Sequence, residues 1–210
     1  MGIVKILILS YVVFSLFNLL IMGQPIPKIV KKCKKKAYMI NSGNRIDYQH
    51  GSDCSGYSSA FVFRHLGIDI DGVTAYNQIP FKLPGGSVTS MGIILLCIRY
   101  KVKVLFRIGN IEALKDSLCK GKPIVILSRI DVESKWLHYI TVVGFDEDYI
   151  YVVDSMEENK NIDSELYNRR IPTADFKKIW HTSKIYAPLM TNLFFEMGKH
   201  SMERNILEMD

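Results

Sequence analysis

Residues 137–155 read LHYITVVGFDEDYIYVVDS. Two runs rich in β-branched and aromatic residues flank Asp146-Glu147-Asp148. Such side chains favour strands because they pack well on a pleated, half-buried surface. The acidic tripeptide breaks the pattern and supplies turn residues. The stretch therefore predicts a hairpin, with strands over about 137–145 and 149–154. It also places His138 early in one strand and Asp154 at the end of its partner.

Working outward, residues 54–66 predict a helix. Ser52 or Asp53 can cap its start, and Gly67 stops it. Its first two turns, CSGYSSA, carry small side chains that let other backbone approach closely. That suits a central helix packed on a sheet. A short helical stretch opens at Asp71-Gly72 and ends at Pro80. Pro84-Gly85-Gly86 forms a loop, and 91–100 an apolar helix. A strand follows over 103–108. A helix capped by Asn110 runs to Leu118, with Gly121 as its stop, and 123–130 reads as a strand. Thr173 is placed to cap a last helix through Trp180. After about Tyr186 the sequence is apolar and then charged, predicting a final strand and a frayed end. Helices come mostly first and strands mostly later, the order of an α+β fold rather than a doubly wound sheet.

The hairpin gains chemical meaning beside Cys54. A thiol attacks well only as thiolate, and a helix N-terminus and a nearby imidazolium both favour that form. Cys54 opens the small-residue helix. His138 supplies a base held in a strand. Asp154 can accept the imidazole N–H and fix its tautomer. Gln49, five residues before Cys54, can give an oxyanion hole its side-chain amide, together with the Cys54 N–H. Each residue taken singly has a plainer explanation: a structural thiol, a satisfied core histidine, a turn aspartate. The combination is what points to nucleophilic catalysis. His50, four residues before Cys54, reads as a surface loop residue with lining of the cleft as the alternative, and His65, late in the helix, as a residue that packs or faces solvent. Trp136, two before His138, shares its sheet face. Tyr167 and Arg169 suggest no role.

The chain has 210 residues, enough for one domain with an appendage. Its formal charge of +6 is misleading. Residues 1–36 hold seven Lys and no acid, leaving 20 basic against 21 acidic side chains in the rest. The body thus shows no basic face of its own, and nucleic acid is not expected as a partner. Cys33, Cys54, Cys97 and Cys119 form no CxxC pair, so a zinc site is not expected. Cys97 and Cys119 read as buried free thiols. Residues 6–22, ILILSYVVFSLFNLLIM, carry no charge. They predict a single-pass membrane anchor over 1–24, with a secretory signal as its rival and the side of the membrane open. A Lys-rich linker is expected over 25–44, the catalytic domain over 45–186, and a tail over 187–210.

YQHGSDCSGYSSAFVFRHLG (48–67) resembles the active-site helix of the bacteriocin-processing, double-glycine leader peptidase family and its stand-alone bacterial relatives. HYITVVGFDEDYIYVVDS resembles that family's His–Asp hairpin. LPGGSVTSMGI, GKPIVIL and YNRRIPTADFKKIW fit the segments between and after, so the resemblance spans roughly 45–182. It implies a papain-like fold with Cys54 as nucleophile, His138 as base, Asp154 as orienter and Gln49 in the oxyanion hole. It implies a peptide or protein substrate and no metal or organic cofactor. Two positions depart from the family: Ser55 replaces the usual Gly after the nucleophile, and Ser155 a frequent Pro after the Asp. No GxxxxGK[ST] loop is present, so the chain is not itself an ATP-driven exporter. The expected activity is cysteine-dependent peptide or amide hydrolysis. The alternatives are a non-catalytic peptide-binding module or an acyltransferase on the same scaffold.

Overall fold

The computed structural model describes residues 2–31, 33–41, 43–182 and 191–199. Its element order is α1 (Gly2–Met22), β1 (Ile26–Pro27), β2 (Tyr38–Met39), α2 (Cys54–His65), α3 (Gly72–Asn77), α4 (Ser90–Arg99), β3 (Val102–Ile108), α5 (Ile111–Leu118), β4 (Ile124–Arg129), β5 (Leu137–Phe145), β6 (Tyr149–Val153), a 3-10 turn (Glu157–Asn159), β7 (Arg169–Pro172), α6 (Thr173–Trp180) and β8 (Leu193–Lys199). One sheet runs β1-β3-β8-β4-β5-β6-β7, and β2 adds to the far end of β5. All pairings are antiparallel except β1 with β3. This is the papain-like α+β architecture, with helices on both faces.

Strand alternation builds those two faces. Val125, Leu127, Phe195 and Met197 pack with Phe63 of α2, Ala75 of α3 and Leu96 of α4. Their neighbours Ile124, Ile126 and Phe194 pack with Leu114 of α5 and Trp180 of α6. α2 crosses α3 through two glycines. A Cβ on Gly56 would stand 2.4 Å from the Tyr76 Cβ, and one on Gly72 would stand 2.3 Å from the Tyr57 ring. No side chain larger than hydrogen fits either position, so the small-residue start of α2 allows the contact.

Of the expected caps Asn110 forms, accepting the Ala113 N–H at 2.9 Å, and Asp71, read only as the opening of its helix, caps α3 by accepting the Thr74 N–H at 2.7 Å. Thr173 does not act as a cap. It is the first residue of α6, after Pro172, and its hydroxyl is buried without a partner among the described residues.

The N-terminal region differs most from expectation. Among the described residues, no helix is long and apolar enough to cross a membrane. The single-pass anchor over 1–24, and the membrane partner and membrane localisation that went with it, therefore do not hold. The charge-free run of 17 residues reaches about 25 Å as a helix, short of a hydrocarbon core of about 30 Å. Its last residue, Met22, is committed to the core shared by α2 and α4.

The stretch read as a linker contributes β1 and β2 to the sheet. Lys28 is buried and reaches Asp116, Ser117 and Glu196, with the Asp116 carboxylate at 3.2 Å. Cys33 is joined to Cys119 in a disulfide across 86 residues, so Cys119 is not a free thiol. Cys97 is free and buried, as its apolar helix suggested. The stretch read as a tail contributes β8, which lies inside the sheet between β3 and β4; residues 200–210 fall outside the described residues. The disulfide restrains the unfolded chain over a long loop. Replacing Cys33 with Ser should therefore lower unfolding stability by about 2–5 kcal/mol, read as an earlier urea midpoint under non-reducing conditions.

Candidate active site

Cys54 is the first residue of α2, which presents its unpaired N-terminal N–H groups there. Asp53 is the cap residue, but its side chain makes no capping hydrogen bond. The helix is fixed on β5 one turn further along. Ser58 Oγ donates to the Tyr139 carbonyl at 2.8 Å, and Thr141 Oγ1 donates to the Ser58 carbonyl at 3.2 Å. These bonds fall one and three residues after His138 on the same strand and so set the height of Cys54 against it. The Tyr139 N–H points at Cys54 Sγ from 3.5 Å.

His138 is buried at the start of β5, opposite Ser128 of β4. Its Nε2 meets Asp154 Oδ1 at 2.7 Å. The ring also lies close enough to Cys54 for the thiol to act on its titration. With Nε2 engaged by the carboxylate, Nδ1 is the ring nitrogen left to serve the thiol.

Asp154, just past β6, is fully buried yet has four donors on its side-chain oxygens. Oδ1 accepts from His138 and from the Met156 N–H at 2.9 Å. Oδ2 accepts from Asn159 Nδ2 at 3.0 Å and Arg169 Nη1 at 2.8 Å. Asn168 clamps the Asp154 backbone at both ends: its Oδ1 accepts the Asp154 N–H at 2.8 Å and its Nδ2 donates to the carbonyl at 2.7 Å. Arg169 is itself held by the Ile130 carbonyl at 2.8 Å. Asn159, Asn168 and Arg169 were not found from sequence. Asn168 and Arg169 fall inside the YNRRIPTADFKKIW stretch but had no role attached; all three arrive through the 3-10 turn and the pairing of β7 with β6, which sets Arg169 opposite Val152.

Burial would push the Asp154 carboxyl up. The hydrogen bond and charge of His138 reverse this, helped by the Met156 N–H and Arg169, and hold it below the ordinary carboxylate range. For His138, burial works to lower the pKa, but the hydrogen bond to Asp154, the nearby Cys54 and the negative charges of both win and raise it to about 10. A raised histidine stabilises the fold below its unfolded value near 6.5, and that contribution disappears as pH rises through about 10. The lowered Asp154 stabilises above its unfolded value near 3.8, with loss on acidification. The imidazolium therefore persists through neutral pH. The alkaline limb of kcat/KM should fall near pH 10; a limb near pH 6.5, the ordinary histidine value, would contradict this account of the site.

Gln49 sits beside this group without a hydrogen bond to Cys54 among the described residues. Its N–H donates to the Ser155 carbonyl at 2.8 Å, its Oε1 accepts from Ser155 Oγ at 2.6 Å, and its Nε2 donates to the Gly51 carbonyl at 2.5 Å. Ser55 is buried, with no hydrogen-bond partner for its hydroxyl among the described residues. Trp136 is 78% exposed, so it lines the surface next to His138 rather than packing beneath it. His50 is exposed, His65 bonds the Gly121 carbonyl at 3.0 Å, and Tyr167 packs on Tyr151. Among the described residues no cluster of His, Cys, Asp and Glu could hold a metal.

The site thus sets a helix-borne thiol near a strand-borne histidine and a buried carboxylate on one sheet. The model of the Peptidase C39-like family matches residues 40–188, and the chain belongs to that family. Similar solved structures include a putative C39-like peptidase from Bacillus anthracis. It is 17% identical, with a TM-score of 0.58, covering 79% of this chain and 98% of that one. The peptidase domain of Streptococcus ComA, a bifunctional ABC transporter of a quorum-sensing pathway, is 13% identical. Its TM-score is 0.54, with coverage of 75% and 99%. A double-glycine motif protease from an AMS/PCAT transporter, solved with its leader peptide, is 13% identical with a TM-score of 0.50 and coverage of 81% and 98%. A search of curated proteins finds no match to this sequence.

Proposed function

We propose that the chain hydrolyses a peptide bond by covalent catalysis at Cys54. The observation that carries this is the buried His138–Asp154 pair at 2.7 Å, beside the thiol that opens α2, at which the N–H of the next residue, Tyr139, points from 3.5 Å. Cys54 Sγ attacks the scissile carbonyl and the carbonyl oxygen takes up negative charge. The Cys54 N–H and the Gln49 amide stabilise that oxyanion. His138 gives its proton to the departing amine, leaving a thioester on Cys54. It then takes a proton from water, whose oxygen attacks the thioester and releases the new carboxylate and the thiol. Asp154 keeps the ring oriented throughout and favours its charged form whenever it carries the proton. The family supports a peptide as substrate, and the neighbour solved with its leader peptide suggests a peptide with a Gly-Gly motif as first probe. The catalytic unit proposed here includes β1 and β8, because both belong to its sheet.

Incubation with a synthetic Gly-Gly leader peptide, followed by mass spectrometry, tests the reaction type. Two fragments whose masses sum to peptide plus one water are expected. Transfer of the acyl fragment to an added amine in preference to water would make the protein an acyltransferase. Saturable binding of an intact peptide would make it a binding module.

A further inference from the structure

The dipeptide Asp154-Ser155 touches both halves of the proposed machinery: Asp154 holds His138, and Ser155 holds Gln49. We propose that Ser155 is a positioning residue, whose hydroxyl fixes the Gln49 carboxamide so that an N–H faces the developing oxyanion. This rests on the hydrolase reading above and adds a residue to it.

The orientation of the amide follows from its neighbours. The end facing the Gly51 carbonyl must be the NH2, because two carbonyl oxygens would repel. Oε1 therefore faces Ser155, and the Ser155 hydroxyl must be the donor, at 2.6 Å. The NH2 carries two N–H bonds and Gly51 uses one, which leaves one for substrate. The backbone adds a second tie, since the Gln49 N–H donates to the Ser155 carbonyl at 2.8 Å. Gln49 lies on an irregular stretch between β2 and α2, where no helix or strand ladder holds it. Ser155, 5% exposed and next to the buried Asp154, is the rigid end of the pair. Removing the hydroxyl frees the carboxamide to rotate and leaves Oε1 without that donor. A proline here could keep the carbonyl contact but has no hydroxyl to donate, so the serine supplies what this chain's Gln49 uses.

A positioning role through the oxyanion hole separates two reactions of the same thiol. An aldehyde forms a tetrahedral adduct bearing an oxyanion-like oxygen. Iodoacetamide alkylates sulfur by displacement and makes none. In the full chain, Ser155→Ala should weaken protection of Cys54 by acetyl-glycyl-glycinal roughly tenfold, while the iodoacetamide rate stays within about twofold of wild type. Gln49→Ala should weaken aldehyde protection at least as much, and adding Ser155→Ala to it should cost nothing further. Equal aldehyde protection in wild type and Ser155→Ala overturns the proposal, as do additive losses in the double variant. So does a wild-type protein that the aldehyde fails to protect. If Cys54 in the wild type does not alkylate at all, the hydrolase reading itself falls, which is a distinguishable result.

Discussion

Cys54→Ala should abolish peptide cleavage, with a loss of about 10⁵-fold or more in kcat. The other free cysteine, Cys97, is buried among α2, α3 and α4, and burial pushes its thiol up to about 12. It cannot substitute as a nucleophile, and Cys33 and Cys119 are tied in the disulfide. What remains after the change is binding and oxyanion stabilisation around a methyl group, with no atom to form the thioester. The variant should fold normally, because Cys54 is only partly buried and the Ser58, Tyr139 and Thr141 bonds that seat α2 are untouched. It should bind the Gly-Gly peptide with near wild-type affinity. Cleavage of that peptide at wild-type rate by the variant would remove Cys54 from the mechanism.

Asp154→Asn should damage catalysis and stability together. Each side-chain oxygen of Asp154 faces two donors: His138 and the Met156 N–H on one, Asn159 and Arg169 on the other. An amide has one NH2, and whichever way it turns, that NH2 meets donors. If it faces His138, the ring loses its acceptor and its tautomer. If it faces Arg169, a largely buried guanidinium loses its counter-charge. Loss of the orienting carboxylate costs on the order of 10³- to 10⁴-fold in kcat/KM. Leaving one member of a buried ion pair uncompensated costs about 3–5 kcal/mol. The expected readings are a steep loss of turnover and an earlier urea midpoint at pH 7. Arg169→Ala should separate the two, with a smaller catalytic loss because the His138–Asp154 bond survives. A stable and active Asp154→Asn protein would mean that the carboxylate neither orients the ring nor balances the arginine.

Legibility in the sequence followed the range of the interaction. The β5–β6 hairpin and α2 are local: β-branched runs about an acidic turn, and small residues ending at Gly67. Both appear where the residues place them. β1 and β2 are two residues each, too short for any periodicity to show. β8 was readable as a strand but not as the partner of both β3 and β4, since strand order is set by pairing between distant segments. Lys28 reads as one of a solvated basic cluster until folding brings in Glu196, 168 residues away. The Cys33–Cys119 pairing was equally hidden, because wide spacing leaves every pairing open. At the site, Cys54, His138, Asp154 and Gln49 stood out because their chemistry is unusual in their local setting. Asn168 and Arg169 did not, because polar residues just before and at the start of a short edge strand look solvated. The apolar N-terminal run misled by hydropathy: the end of α1 packs on protein.

The central claim, an activated thiol paired to His138, is tested most directly by mass-mapped alkylation of the full chain with iodoacetamide at pH 6, wild type against His138→Ala. Rapid modification confined to Cys54, and slowed at least tenfold by the histidine change, is the predicted result. Slow labelling of Cys54 at the same rate in both proteins would contradict it and leave the fold as a peptide-binding scaffold.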